Sequence, residues 1–471
     1  TTIPYVNAAP HIGFALEVVQ ADALARFKRL TGHDVFFNFG SDEHGQKIWQ
    51  KALENQQTPQ AYADEYAVKF SALKETLNLS YDAFVRTTDP HHKAAAQEMW
   101  RRCQAAGDIE KKEYEIKYCV GCELEKTDSE LVDGECPLHP GRPLEVRQEE
   151  NYFFKLSNYQ EKLQALYERD DFVVPNYRLN EIRSLITEKG LQDFSISRLK
   201  QKMPWGVEVS GDEDHVMYVW FDALVNYIST LGWPEDGQHF ARFWNGTPDC
   251  VQMAGKDQVR QQACMWQAML MSAQLPLTGQ IFIHGFINSG GQKMSKSLGN
   301  VIDPVAIVEE YGTDALRYFL LRHRHPTEDS DFTMEKFKEI YNANLANGLG
   351  NLTARVMTLS EKYLSGGPYK SLESDSLPPD YLNAMERFEF NDALDYVWKR
   401  IGALDEAIAS QQPFKVIKVN PKEGEEMIMY LVLQLESIAK LLEPILPDTA
   451  EKIKTAIITN KKPENLFLRK E

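Results

Sequence analysis

The sequence predicts an α/β protein whose doubly wound parallel sheet is split by an insertion and followed by an all-α region. Short apolar runs alternate with amphipathic helices over residues 1–87 and again over 216–289, which is typical of parallel strands joined by helices. Over 88–215 this alternation is lost, and three of the six cysteines cluster there. Beyond residue 333 only helical periodicity remains.

The first part of the predicted sheet begins with a short β-compatible segment at 2–6. A helix follows Pro10, with apolar residues three and four positions apart from Leu16 to Leu30 and Gly32 as its stop. The run 35–39 predicts a buried strand. After the insertion we expect strands at 216–220, 250–253 and 281–286, with a helix over 258–273 between the last two.

The C-terminal region predicts long amphipathic helices. One carries apolar residues at helical spacing from Leu394 to Ile408, and another covers about 425–442. Turns at 366–368 and 378–379 interrupt the region. We therefore expect an all-α helical bundle over 333–471.

Composition limits the classes of function. The net charge of −17 argues against a general nucleic-acid coat protein, so a nucleic-acid partner would need a local basic surface. The sequence has no apolar run of membrane-spanning length and no secretory segment, which predicts a cytoplasmic protein without a membrane partner. The chain ends soon after the last helix, and a monomer is favoured.

Two motifs that follow predicted strands point to phosphate chemistry. The segment 5–13, YVNAAPHIG, lies where a helix begins, and free backbone N–H groups there favour anions. On its own, His11 followed by Gly13 is a common helix start. The loop 290–300, GGQKMSKSLGN, adds lysines that neutralise a triphosphate and serines that hydrogen-bond it. In doubly wound sheets, ligands bind at the carboxyl ends of strands.

Together the two motifs resemble the HIGH and KMSKS signatures of class I aminoacyl-tRNA synthetases, with Phe14 where the family often has His. The resemblance implies a split Rossmann-type catalytic domain that activates an amino-acid carboxylate with ATP. This nucleophile is already ionised at pH 7, so the first step needs charge stabilisation rather than a general base. The implied catalytic residues are His11, Lys293 and Lys296, with Mg²⁺ bound to ATP.

Further segments resemble the methionyl-tRNA synthetase family. The resemblance implies that Asp42, in GSDEHG, holds the α-amino group of methionine and that YVWFDA at 218–223 wraps the thioether. Where the family often has Ile and His after Gly255-Lys256-Asp257, this sequence has Gln258 and Gln262. The implied methionine-binding residues are Ile3, Tyr5, Asp42, Trp220, Ala223, Tyr227 and Gln262, and the implied ATP-binding residues are Gly13, Gly255, Asp257, His284, Ser295 and Ser297.

The cysteine cluster predicts one structural zinc ion. Two ligand pairs with two-residue gaps are typical of a tetrahedral knuckle, and a closed set of four leaves no position for catalysis. The expected ligands are Cys119, Cys122, Cys136 and His139. The cluster resembles the knuckle in the connective insertion of the same family.

The helical region carries the residues that the resemblance assigns to the anticodon. Asn351 and Arg355 lie one turn apart and match the family's Asn and Arg, while Phe414 stands where a Trp usually follows a proline. The domains implied are the split catalytic domain at 1–87 and 216–289, a connective insertion at 88–215, the KMSKS loop and stem-contact region at 290–332 and an anticodon-binding domain at 333–471. The implied partners are ATP, L-methionine and tRNA(Met), including initiator tRNA.

Three alternatives remain open. The substrate could be leucine, valine or cysteine, although the compact insertion argues against the large editing domain of the branched-chain enzymes. A nucleotidyltransferase without an RNA partner would not need the helical region. A non-catalytic RNA-binding relative would not need the intact phosphate motifs.

Overall fold

The computed structural model describes residues 1–119, 124–126, 131–137, 140–141, 143–235, 237–244, 250–294, 299–365 and 377–471. Its centre is a parallel sheet in two halves. Asn38–Ser41 pairs with Ala83–Arg86, and Val251–Gly255 pairs with Gln280–His284, which also pairs with Val173–Val174. The predicted α/β fold with a helical C-terminal region is confirmed.

The N-terminal segment joins the two halves of the sheet. The Thr2 N–H donates to Met253 O at 3.1 Å, the Asp42 N–H to Pro4 O at 2.9 Å, and the Val6 N–H to Asp42 O at 3.1 Å. The strand predicted at 2–6 is reduced to one bridge, between Tyr5 and Asp42. The reason is that Pro4 has no N–H to contribute to a ladder.

Most predicted elements around this sheet are present. The helix Ile12–Leu30 ends beside Gly32, whose φ of +89° favours glycine. The strand predicted at 35–39 lies slightly later, at Asn38–Ser41, and those predicted at 250–253 and 281–286 are Val251–Gly255 and Gln280–His284. The helix predicted at 258–273 begins with the wide turns of Gln261–Trp266 and continues as Gln267–Ser272.

The strand predicted at 216–220 is present only at its first two residues, Val216 and Met217. Asp212–Met217 pairs antiparallel with Ser197–Leu199 and Glu208–Val209, and the chain then turns into the helix Val219–Ala223. The buried residues Met217, Phe221 and Leu224 follow one another at helical spacing. This apolar run therefore satisfies both periodicities, and packing selects the helix.

The cysteine-containing region contains a second, antiparallel sheet. Ile109–Cys119 and Glu145–Phe154 pair along ten residues from Ile109↔Phe154 to Tyr118↔Glu145. Leu124–Lys126 flanks the first strand and Phe194–Ser195 the second. The two long strands carry charged residues at about half of their positions, so apolar alternation does not reveal them.

Helices are the main remaining elements of the described chain, and two of them, Ile12–Leu30 and Pro59–Ser71, contact strands of the parallel sheet. The remaining short strands, Ile287–Ser289, Gln292–Lys293 and Ser330–Phe332, pair with one another. No helix of the described residues has the length and apolar character needed to cross a membrane. The other helices and wide turns are Gln46–Glu54, Pro59–Ser71, Leu73–Thr76, Pro90–Ala105, Leu156–Tyr159, Gln160–Leu166, Asn176–Lys189, Asn226–Ser229, Gly237–Phe243, Lys256–Gln258, Pro304–Tyr311, Thr313–Arg322, Met334–Ile340, Tyr341–Gly350, Asn351–Tyr363, Pro379–Glu386, Phe390–Gln411, Pro413–Val419, Pro421–Leu442 and Pro447–Thr459.

A buried ion pair fastens the C-terminal helices to the helix Ile12–Leu30. The guanidinium of Arg317, fully buried, lies 2.7 Å from Asp22 and donates to the carbonyls of Leu77, Pro444 and Ile445 at 3.0, 3.1 and 2.8 Å. Burial alone would raise the pKa of Asp22, but Arg317 and Arg26 hold it below its ordinary value. The helix that follows His11 is thus anchored to residues near position 445.

Truncation of this arginine tests the anchor. We expect Arg317→Ala to lower the free energy of unfolding in urea by roughly 3–5 kcal/mol, because Asp22 is left buried without its partner. The matched control is Arg387→Ala, which removes an exposed pair with Glu389 at 2.7 Å and should cost below about 1 kcal/mol. Equal losses in the two variants would contradict this account.

Candidate functional site

The carboxyl ends of the parallel strands open into a cavity of about 820 Å³. It lies between the strand ends, the start of the helix Ile12–Leu30 and the helix Val219–Ala223. The sequence-predicted residues that line it are His11, Gly13, Gly255, Asp257, His284, Ile3, Tyr5, Asp42, Trp220, Ala223, Tyr227 and Gln262. Residues from five separate segments of the chain therefore meet in one place.

His11 caps the first helix with its side chain. Its Nδ1 accepts a hydrogen bond from the Gly13 N–H at 3.1 Å, so in the neutral ring the proton is on Nε2. Burial lowers the pKa of His11 to about 4. A Cβ at position 13 would lie 2.8 Å from the ring, so Gly13 is required for this arrangement. The site thus contains a neutral imidazole that donates from Nε2.

Asp42 is a buried carboxylate with an unused oxygen. Its Oδ1 is buried and has no hydrogen-bond partner among the described residues. Burial, followed by the charge of Asp222, raises the pKa of Asp42 well above its ordinary value. Asp222 itself is held at a pKa of about 2 despite its burial, because His44 lies at 2.6 Å and His92 at 2.9 Å. Such an environment favours a bound cation beside Asp42.

A histidine–glutamate pair forms the opposite wall and includes a residue that the sequence analysis missed. His284 Nε2 lies 2.9 Å from Glu17 Oε2, and its Nδ1 lies 2.8 Å from the carbonyl of Gly285. Both ring nitrogens face acceptors, an arrangement that favours the protonated ring. Burial lowers the pKa of His284, but Glu17 raises it overall. Glu17 Oε1 also accepts from the Thr2 N–H at 2.9 Å. Its position one helical turn after Gly13 was the available signal.

Aromatic and apolar residues form the inner part of the cavity. Ile3 and Ala223 are buried in one small cluster with Val85, and Trp220 is half-buried at the rim. The hydroxyl of Tyr227 donates to Gln262 Oε1 at 2.9 Å. The site therefore combines apolar walls with a buried amide at its inner end. Further lining residues that the sequence analysis did not identify include Asn7, Gln46, Lys47, Gln50, Arg198 and Phe286.

The phosphate loop is described in part. The backbone of Lys293 pairs with Asn288, and Met294 lines the cavity. Ser295, Lys296 and Ser297 lie outside the described residues. The described part of the loop therefore reaches the cavity at Met294.

The predicted zinc ligands are described only in part. Cys119 ends a strand opposite Leu124, and Cys136 is buried beside the bridge between Val132 and Glu135. Cys122 and His139 lie outside the described residues. Among the residues that the structure does describe, no group of three potential ligands meets.

The predicted anticodon residues lie in the helical region. Asn351 begins the helix Asn351–Tyr363 and is exposed, while Arg355 forms an ion pair with Asp405. Phe414, with 37% of its surface exposed, lies on the separate helix Pro413–Val419. No contact between described residues joins Phe414 to the other two.

Comparisons with known proteins give one consistent family. A family model for class I tRNA synthetases (M) matches residues 1–142 and 138–357. The chain is 41% identical to methionine–tRNA ligase of Synechocystis sp., covering 96% of the chain and 88% of that protein, and 41% identical to the Clostridium acetobutylicum enzyme, covering 97% and 72%. Methionyl-tRNA synthetase of Mycobacterium tuberculosis in complex with methionyl-adenylate is 35% identical, with a TM-score of 0.86 over 100% of this chain and 99% of that one.

The protonation state of His11 is directly measurable. We expect ¹⁵N NMR to show a neutral ring protonated on Nε2 between pH 5 and 8, because burial lowers its pKa to about 4. The unfolded chain has a pKa near 6.5, so it binds the extra proton first as the pH falls. The folded protein should therefore lose stability between about pH 6.5 and pH 4 through this group. A titration midpoint near 6.5 in the folded protein would contradict the burial of the ring.

Proposed function

The chain belongs to the methionyl-tRNA synthetase family of class I tRNA synthetases, and we propose that its central cavity binds methionine and ATP side by side. The activity is that of a methionine–tRNA ligase. L-Methionine and ATP give methionyl-adenylate and pyrophosphate, and the methionyl group is then transferred to the 3′ end of tRNA(Met). The observation that carries this function is the position of Asp42, which lines the same cavity as His11 and has a buried oxygen without a hydrogen-bond partner among the described residues.

Asp42 orients the amino acid in this proposal. The α-ammonium of methionine supplies the cation that its unpartnered Oδ1 lacks. The side chain then extends past Ile3, Tyr5, Trp220 and Ala223 toward Tyr227 and Gln262. Sulfur–aromatic contacts of roughly 0.3–1.5 kcal/mol each favour a thioether here. This orientation leaves the carboxylate of methionine directed toward the nucleotide.

His11 and the loop lysines stabilise the charge of the transferring phosphate. The Nε2–H of His11 donates to a phosphate oxygen, and because the ring is neutral it does so without losing a proton at pH 7. Lys293 and Lys296 supply the cations, and Ser295 and Ser297 supply hydrogen-bond donors. Mg²⁺ that arrives with ATP neutralises the leaving pyrophosphate. Preorganised donors of this kind lower the barrier because they act where charge develops.

The residues proposed to contact the nucleotide lie at the ends of two neighbouring parallel strands. Gly255 ends the strand Val251–Gly255 and Asp257 follows it, and we propose that both contact the ribose. His284 ends the neighbouring strand and is proposed to contact the adenine. Gly13 gives the adenosine access to the start of the helix.

The helical region reads tRNA in this proposal. Asn351, Arg355 and Phe414 contact the anticodon, and the domain boundaries are those expected from the sequence. Arg355 must exchange Asp405 for a base, while exposed Phe414 stacks on one. Proposed partners include initiator tRNA, the proposed state is a monomer, and the proposed location is the cytoplasm, where tRNA is charged.

A structural zinc ion completes the proposal. Cys119 pairs with Leu124 at the end of a hairpin, and Cys122 falls between these two residues in the sequence. Cys136 is buried in a region rich in charged residues, as expected for a ligand. Together with His139 these would form a closed tetrahedral set whose role is to hold the insertion together.

ATP–pyrophosphate exchange with each amino acid in turn tests the function. We expect exchange with methionine, and exchange only with leucine, valine or cysteine would refute the assignment. In Asp42→Asn the KM for methionine should rise at least tenfold with little change in the KM for ATP, because the counter-ion of the α-ammonium is lost. The matched control is Asp34→Asn, an exposed acidic residue outside the cavity. Normal methionine KM in Asp42→Asn would remove Asp42 from this role.

Metal analysis tests the zinc proposal. We expect one zinc per chain and loss of that zinc in Cys136→Ser. Cys250→Ser serves as control, since Cys250 lies next to the parallel sheet, and it should keep the metal. A folded, zinc-free wild-type protein, or full retention of zinc in Cys136→Ser, would count against the site.

A further inference from the structure

Four buried polar side chains continue from the inner end of the cavity into the protein. They are Gln262, Gln252, Gln267 and Thr278, and each is almost fully buried. Gln262 lines the cavity and lies on the wide turns of Gln261–Trp266, which interrupt the helix at this point. Such turns are frequent at functional sites. Buried amides are costly unless their donors and acceptors are matched, so the direction of each hydrogen bond matters.

The direction of these hydrogen bonds is fixed by a backbone N–H, which can only donate. The backbone N–H of Thr278 donates to Gln267 Oε1 at 3.2 Å, so Gln267 must present its Nε2 on the other side. That Nε2 donates to Thr278 Oγ1 at 2.9 Å and to the backbone carbonyl of Gln262 at 3.0 Å. The proton of Thr278 Oγ1 is therefore directed to Gln252 Oε1, at 2.5 Å.

The same assignment of donors and acceptors extends to Gln262 at the cavity. Gln252 has its oxygen occupied, so its Nε2 donates to Gln262 Oε1 at 3.2 Å, and the Tyr227 hydroxyl donates to the same oxygen. Gln262 therefore presents its Nε2 toward the ligand side. Of the two N–H bonds of that amide, one faces Gln258 Oε1 at the long distance of 3.5 Å. At least one N–H is left for a ligand.

We infer that this relay from Thr278 through Gln267 and Gln252 makes Gln262 a fixed hydrogen-bond donor for the substrate side chain, so that the site selects amino acids of methionine length carrying an acceptor at the sulfur position. The inference rests on the proposed function and names the class of side chain the site accepts. A thioether or an ether oxygen satisfies the donor, whereas the methylene of norleucine leaves it unpaired. Thr278, Gln252 and Gln267 are positioning residues that act through Gln262.

The test measures ATP–pyrophosphate exchange with L-methionine, L-norleucine and L-O-methylhomoserine. In Thr278→Val, which keeps the backbone N–H but removes the hydroxyl, kcat/KM for methionine should fall about five- to tenfold, the effect of one neutral hydrogen bond. The value for norleucine should change less than about twofold, so the methionine-to-norleucine ratio falls. Thr278→Ser keeps the hydroxyl and should keep the ratio. In the wild type, O-methylhomoserine should be preferred to norleucine.

The readouts separate positioning from simple loss of stability. An equal fall for both substrates in Thr278→Val, or an unchanged ratio, overturns the relay. If that variant does not fold, Gln252→Leu breaks the next link and is judged by the same ratio. Because amides do not titrate, the wild-type ratio should stay constant from pH 6 to 8.5, and a ratio that titrates there also overturns the inference. Wild-type protein without methionine-dependent exchange would instead refute the proposed function.

Discussion

The three backbone hydrogen bonds of the N-terminal segment are the constraint on which the site depends. They join Thr2 to Met253 and residues 4 and 6 to Asp42, and thereby close a sheet whose halves come from distant parts of the chain. These hydrogen bonds form a seam, and the walls of the cavity are positioned relative to it. Tyr5 and Asp42 lie on it, and Glu17 reaches back to the Thr2 N–H while it holds His284. The proposed methionine side and the proposed nucleotide side of the cavity are therefore held by the same backbone segment. Catalysis by orientation of the reactants requires such a fixed geometry.

Burial gives the charged groups of the site their separate properties. Two buried aspartates lie close enough to interact, yet Asp222 is paired with two histidines and Asp42 with none. The first is satisfied within the protein, and the second is left for a ligand cation. His11 and His284 differ in the same way, since His11 Nδ1 accepts the N–H of Gly13 whereas both ring nitrogens of His284 face acceptors. Neighbouring atoms, rather than residue type, decide each charge state.

Local motifs allowed much of the site to be predicted from the sequence. Asp42 and Gly255 lie where the chain leaves a strand, His11 and Gly13 lie where the first helix begins, and the parallel sheet brings these positions to one cavity. Glu17 was missed because its partners, Thr2 and His284, are brought to it only by the fold. The strand expected at 216–220 is confirmed only at Val216 and Met217, because the apolar run that follows also fits helical spacing and forms a helix. The long charged hairpin was missed because its strands show no apolar alternation.

The glutamines of this chain show why a departure from a family pattern must be read together with its surroundings. An imidazole can donate from one nitrogen and accept at the other in either tautomer, whereas an amide has a fixed donor end that can point the wrong way by a simple flip. A single replacement by Gln262 would leave that choice open. The amide of Gln252 and the hydroxyl of Tyr227 both donate to its oxygen, and Thr278 fixes the orientation of Gln252 in turn. Gln262, Gln252, Gln267 and Thr278 therefore form one hydrogen-bonded unit. The direction of its hydrogen bonds is determined by the backbone N–H of Thr278, which does not line the cavity.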